Sequence, residues 1–252
     1  MRQSMEISQA VIFAGGRGER LRPLTDHLPK PMAPVNGVPY LDYLIKTLTD
    51  AGIRKVLFLL GYRAETIVNR YGNQLPNGIK VEYSIGTADD LTGRRLLNAY
   101  PYLDDRFLLL YGDNYWPIEI KQMTSFFESK KAPAMTTVFS NKQGTAEYGF
   151  ENNIEVGGDA FVVEYDKKRI SKKLNGVDIG YFIIQKDILD PQMQGNISFE
   201  ETILASLAQH HRLVAHVTDK QYYYITNLES LKHFEQVAQK ERFIPISVEA
   251  VK

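Results

Sequence analysis

The stretch Ala10-Val11-Ile12-Phe13-Ala14-Gly15-Gly16-Arg17-Gly18-Glu19-Arg20-Leu21 passes from an unbroken apolar run straight into a glycine-rich, charged segment. A run without polar alternation is the habit of a strand buried on both faces, as in parallel sheets, and glycines directly after it let a ligand approach the backbone. Two more runs of this kind are Val56–Leu60 and Phe107–Tyr111. Between the first two, Leu41, Leu44, Ile45 and Leu48 keep helical spacing, and a second helix is expected over Ala64–Tyr71, ended by Gly72. Strand and helix alternating through residues 10–111 predict a doubly wound α/β sheet with right-handed crossovers.

Beyond Lys131 the texture changes. Shorter strands with polar alternation, around Ala134–Ser140, Ala160–Tyr165 and Val177–Ile184, predict an added mixed or antiparallel layer. Ser198-Phe199-Glu200-Glu201 has capping-box spacing ahead of Ile203, Leu204, Leu207 and Ala208 on one helical face, and Leu231, Phe234 and Ala238 repeat that pattern. There is no internal repeat and no linker-like tract, so the expectation is a single domain over 1–252 with two lobes, about 8–130 and 131–252.

The 252 residues carry 30 Lys plus Arg against 30 Asp plus Glu, so no uniform field draws in nucleic acid or an anionic membrane. A charged ligand must be gripped locally. Zero cysteines exclude disulfides, thiolate metal sites and cysteine nucleophiles, which suits a cytoplasmic protein. No apolar run approaches the roughly 20 residues of a membrane span, and Met1–Gln9 has no signal-peptide core.

The local grip is found in residues 15–34. Pro23, Pro29, Pro31 and Pro34 forbid a helix or an interior strand there, so a long, stiff loop is predicted. Leu21 stands where a dinucleotide fingerprint needs glycine or alanine, and the Gly-Lys-Ser/Thr of a Walker loop is absent. Arg17, Arg20, Arg22 and Lys30 against Glu19 and Asp26 give a local net charge of 4 − 2 = +2. A solvated basic loop would also carry such charge, but the glycines after strand one favour a phosphate nest. Asp113 follows the fourth strand, at the carboxyl edge where α/β sheets bind ligands; a plain Gly-Asp-Asn turn is the alternative reading.

The run Gly15-Gly16-Arg17-Gly18-Glu19-Arg20-Leu21-Arg22-Pro23-Leu24-Thr25, then Pro29-Lys30-Pro31-Met32 and Pro34-Val35-Asn36-Gly37-Val38-Pro39-Tyr40-Leu41, resembles the signature of the sugar-1-phosphate nucleotidyltransferases. Glu19, usually threonine in that family, departs from it. The resemblance implies a Rossmann-like, GT-A-like mixed sheet with a smaller antiparallel sugar-binding lobe. It implies an enzyme that joins a nucleoside triphosphate to a sugar 1-phosphate and releases pyrophosphate, a reaction of positioning and charge neutralisation that needs no protein nucleophile. In this reading Arg20 and Lys30 bind the triphosphate, with Ala14, Gly15, Gly16 and Gly18 beside the nucleotide and Thr92 and Gly93 at the base. Asp113 binds Mg²⁺, and Lys167, with Lys168 as its rival, holds the sugar phosphate. Gly149, Glu164, Asp178 and Gly180 are the implied sugar contacts.

Two departures stand out. Asp89-Asp90-Leu91-Thr92-Gly93-Arg94-Arg95 replaces the family's Leu-Gly-Thr-Ala/Gly-Gly, and the family's second metal aspartate falls on Tyr224, with Asp219 as a nearby substitute. In its compact length, Pro31–Val35 and Val81–Ile85 the chain most resembles the guanylyltransferases for mannose or heptose 1-phosphate, a resemblance that implies GTP as the substrate. The alternatives are a thymidylyl- or cytidylyltransferase of the same family, or a catalytically degenerate, nucleotide-binding regulatory paralogue. The expected partners are the two substrates, with no nucleic acid and no membrane. Homo-oligomerisation is left open, and no appended acyltransferase is expected at this length.

Overall fold

The computed structural model describes residues 6–248. Strands β1 (Gln9–Phe13), β2 (Lys55–Leu60), β3 (Lys80–Ile85) and β4 (Arg106–Tyr111) alternate with helices α1 (Tyr40–Asp50), α2 (Ala64–Tyr71) and α3 (Thr92–Asn98). The four strands are parallel and lie in the order β3-β2-β1-β4. Every residue of β1 is buried, which is why its sequence shows no polar alternation. Helix α2 ends where expected: the Gly72 amide bonds the Val68 carbonyl at 2.9 Å.

After α4 (Ile120–Lys130) come β5 (Ala134–Phe139), β6 (Ile154–Val156), β7 (Val162–Tyr165), β8 (Val177–Gln185), α5 (Ala205–Gln209), β9 (Leu213–Thr218) and α6 (Leu228–Lys240). The layer expected beyond Lys131 is only partly separate. Strands β5, β8 and β9 extend the central sheet to seven strands in the order β9-β5-β8-β4-β1-β2-β3, with β8 antiparallel to both neighbours. Strands β6 and β7 form an antiparallel ribbon of their own, and Tyr223–Tyr224 pairs antiparallel with Asn114–Tyr115. Strand β8 is buried almost throughout; Asp178 and Gly180 break up its apolar pattern because they lie beside the cleft described below.

The chain builds outward from β1 through β2 to β3, then returns to place β4 on the other side of β1. That reversal opens a crevice at the carboxyl ends of β1 and β4, where ligands of open α/β sheets bind. The glycine loop and Asp113 lead directly out of those two strands.

Residues 15–34 form the expected stiff loop, broken only by three short 3₁₀ turns, Glu19–Leu21, Leu24–Asp26 and Lys30–Met32. Its anchor is Leu21, fully buried in a cluster with Tyr40, Tyr115, Leu231 and Phe234 that fastens the loop to α1 and α6. Ahead of α5, Ser198 caps a π-helical turn (Phe199–Leu204), its hydroxyl accepting from the Glu201 amide at 3.2 Å. No helix among the described residues is long and apolar enough to cross a membrane.

Candidate active site

Two adjoining cavities, of about 410 and 590 Å³, open over the carboxyl ends of β1 and β4. The first is lined by Ala14, Gly15, Gly16, Gly18 and Lys30 from the loop, by Ala88–Thr92 with Arg95, and by Ser198–Glu201 with the exception of Phe199. The second is lined by Arg20, Asn114, Glu147, Tyr148, Asn153, Tyr165, Lys168 and Asp178 among others. Thr92, Tyr111, Asp113, Lys167 and Glu200 line both and form the divide between them.

The Lys30 ammonium donates to Asp113 Oδ2 at 2.6 Å, and the lysine side chain is only 13% exposed. This joins the loop lysine to the carboxylate at the end of β4. Gly18 permits it: its φ of +63° lies in the left-handed region, and it sits directly against the Lys30 side chain. Arg20 reaches the second cavity instead of the first, donating to the Tyr148 hydroxyl at 3.2 Å and lying 3.5 Å from Glu147. Glu147 Oε1 is buried and has no hydrogen-bond partner.

The departure at Asp89–Arg95 has a structural meaning. Arg95, 5% exposed, donates to the carbonyls of Leu60 (2.7 Å), Gly15 (3.1 Å) and Ala88 (3.3 Å). One guanidinium thus ties the end of β2, the glycine loop and the 86–91 loop together beneath the first cavity. Burial lowers its pKa from the usual arginine value, against the opposing pull of the Asp90 and Asp89 carboxylates. Arg94 is spent on the carbonyls of Met193 and Gly195. Gly93 faces Ile197 and Phe199 and does not line the cavity.

Two buried carboxyls sit under the cleft with pKa values shifted in opposite directions. Burial raises Asp178 to about 6, although the Gly180 amide, the Tyr165 hydroxyl and the Thr136 hydroxyl donate to it. Burial would raise Glu200 too, but the hydroxyls of Ser198 and Tyr111 donating to it, with Lys167 nearby, hold it below the usual glutamate range. Tyr111 is pushed well above an ordinary tyrosine by burial and by Glu200, so it stays a hydrogen-bond donor.

Of the residues named from sequence, Ala14, Gly15, Gly16, Gly18, Arg20, Lys30, Thr92, Asp113, Lys167 and Asp178 line the cleft. Gly149 and Glu164 do not: Glu164 accepts from the Ser171 hydroxyl at 2.8 Å, while its strand neighbour Tyr165 turns to Asp178. Gly180 acts behind the cleft, its amide donating to Asp178 and its bare α-carbon leaving room for the Tyr111 ring. Asp219 is held by Ser140 and Lys142 outside both cavities. Lys168 lines only the second cavity, whereas Lys167 also lies 3.8 Å from Glu200. Sequence reading passed over Glu200, Tyr111, Tyr165 and Arg95.

A nucleotidyl transferase family model matches residues 9–236. The chain belongs to that family. This nucleotidyltransferase is 29% identical to a D-glycero-alpha-D-manno-heptose 1-phosphate guanylyltransferase of Campylobacter jejuni, over 77% of the chain and 83% of the relative. It is 27% identical to a probable glucose-1-phosphate cytidylyltransferase of Bacillus subtilis, over 91% and 94%. Its fold matches that of HddC from Yersinia pseudotuberculosis, solved with GMP-PN, with a TM-score of 0.75, 24% identity, and 92% and 99% of the two chains covered.

Proposed function

We propose that this nucleotidyltransferase moves a nucleoside monophosphate from a nucleoside triphosphate, GTP by preference, to a sugar 1-phosphate, in the cytoplasm. The observation that carries this reading is the divide itself: Asp113 and Lys167 stand where the two cavities meet, and Lys30 reaches Asp113 from the first cavity, one cavity being floored by glycine backbone and the other lined by polar and aromatic groups. The triphosphate occupies the first cavity and the sugar 1-phosphate the second, so the reacting phosphates meet between the lysines. An oxygen of the sugar phosphate forms a bond to the α-phosphorus, the α–β bridging bond breaks, and pyrophosphate leaves with that electron pair. The protein supplies alignment and positive charge, the main contributions in such transfers. Arg20, on the sugar side, adds a planar fork suited to phosphate oxygens.

Asp113 would hold Mg²⁺. It is the one carboxylate at the divide besides Glu200, which is already saturated by hydroxyls, and the described residues contain no cluster of three or more acidic, His or Cys side chains. The fit is therefore to an ion that takes one protein oxygen and completes its shell with phosphate oxygens and water, as Mg²⁺ does. When bound, the ion neutralises charge developing on the phosphates.

The test is incubation with each triphosphate, Mg²⁺, a panel of sugar 1-phosphates and pyrophosphatase. Phosphate release with GTP and a mannose or heptose 1-phosphate is expected, and no release with any pair would overturn the reading. The single carboxylate and Tyr224 favour a second reading, a nucleotide-binding regulatory protein, which GTP binding without turnover would select.

A further inference from the structure

We propose that Glu200 is a positioning residue that couples the two substrate cavities; the proposal rests on the assignment of Lys167 to the sugar phosphate. Its carboxylate is 9% exposed and takes three short bonds. Tyr111 donates to Oε1 at 2.6 Å, and Ser198 and Thr92 donate to Oε2 at 2.6 and 2.7 Å. Lys167 Nζ lies 3.8 Å from the same Oε2. Thr92, at the start of α3, and Lys167, on the loop after β7, come from different elements, and each lines both cavities at the divide. One buried anion therefore touches both sides of the divide.

A buried carboxylate with its lone pairs filled by donors is fixed in place and in charge. Lys167, half exposed on a loop after β7, has no other acidic partner within 4 Å among the described residues. Glu200 draws its ammonium inward, toward the place where the acceptor phosphate must sit, while pinning Thr92 at the start of α3. Loss of the negative charge frees Lys167 to swing into solvent and lets the two cavities act independently.

Glu200→Gln keeps the shape and removes the charge. Thr92, Ser198 and Tyr111 hydroxyls can still bond the amide, so a melting temperature near wild type is expected, with Tyr111→Phe as a variant that loosens the hub without touching the charge. Kinetically, Glu200→Gln should raise KM for the sugar 1-phosphate and lower kcat, together about 10-fold or more, leaving KM for the triphosphate within about 2-fold, as for loss of an oriented charge contact. With Lys167→Met the loss should be no greater in the double variant than in Lys167→Met alone. A readout free of turnover is amine acylation followed by peptide mass spectrometry. Released from Glu200 Oε2 and turned into solvent, Lys167 should react faster in Glu200→Gln than in wild type. Unchanged Lys167 labelling, or multiplicative kinetic losses in the double variant, would overturn the proposal. Absence of turnover in wild type with altered Lys167 labelling would instead sink the functional reading and leave the coupling standing.

Discussion

Replacing Gly18 by alanine should damage both stability and catalysis, and by amounts that the geometry sets. The residue has φ +63°, where an alanine costs roughly 1–2 kcal/mol. Its new Cβ would lie 2.8 Å from Lys30 Cβ and 3.1 Å from Thr25 Cγ2. Non-bonded carbons prefer about 3.5–4.0 Å, so the turns carrying Gly18 and Lys30 must part by about 0.7 Å, a crowding penalty of about 1–3 kcal/mol. The sum, about 2–5 kcal/mol, corresponds to a fall of roughly 4–20 °C in Tm for a domain of this size. The displaced element carries the lysine that sits 2.6 Å from Asp113. Misplacement by about 1 Å can cost on the order of 100-fold, so kcat should fall about 10- to 100-fold. Gly16→Ala is the control. Nothing lies within 4 Å of its added Cβ and its φ is not left-handed, so Tm should hold within about 1 °C while KM for the triphosphate rises, because the methyl enters the cavity floor. Melting curves and steady-state kinetics on the two variants decide the matter. A Gly18→Ala protein with wild-type Tm and kcat/KM, or two variants that behave alike, would refute the reasoning.

Lys30→Ala and Asp113→Ala should each lower kcat on the order of 100-fold or more, as for loss of a transition-state charge contact, and near-normal turnover in both would remove them from the site. Arg95→Met deletes three hydrogen bonds to carbonyls that then stay buried, so thermal unfolding should show a loss of about 3 kcal/mol together with weaker triphosphate binding. Asp178 has a native pKa raised to about 6 by burial. Its contribution to stability is therefore full below about pH 4 and lost as pH rises through about 6, up to roughly 3 kcal/mol for a shift of about two units. Asp178→Asn should thus melt higher than wild type near pH 8 and lose that advantage near pH 4; a difference that does not change with pH would contradict the shift.

The nucleotide half of the fold was readable because its strands are buried on both faces and leave unbroken apolar runs, as β1 and β4 do. Strand β8 is as deeply buried, yet its sequence reads as alternating, because Asp178 and Gly180 serve the cleft at the expense of the pattern. Leu21 excluded a dinucleotide fingerprint but did not say why it was leucine; the answer is long-range, in its burial with Tyr40 and Phe234. Arg20, Lys30 and Asp113 were legible because loop chemistry and strand position announce them locally. Glu200 was hidden inside a capping box: Ser198 does cap the following turn, but the same hydroxyl also donates to Glu200 at 2.6 Å, a role only the fold reveals. Glu164 shows the converse, since a one-residue choice on β7 decides whether Tyr165 or its neighbour faces the cleft, and a register shift between Val162 and Glu164 makes that choice unreadable from alternation.

The most direct test follows oxygen atoms through the reaction. With a sugar 1-phosphate carrying ¹⁸O at all its non-bridging phosphate oxygens, GTP and Mg²⁺, direct attack by the acceptor on the α-phosphorus carries every labelled oxygen into the nucleoside diphosphate sugar and leaves pyrophosphate unlabelled, both read by mass spectrometry. Label in the pyrophosphate, a nucleotide found covalently on the protein, or no nucleoside diphosphate sugar with any triphosphate would contradict the account.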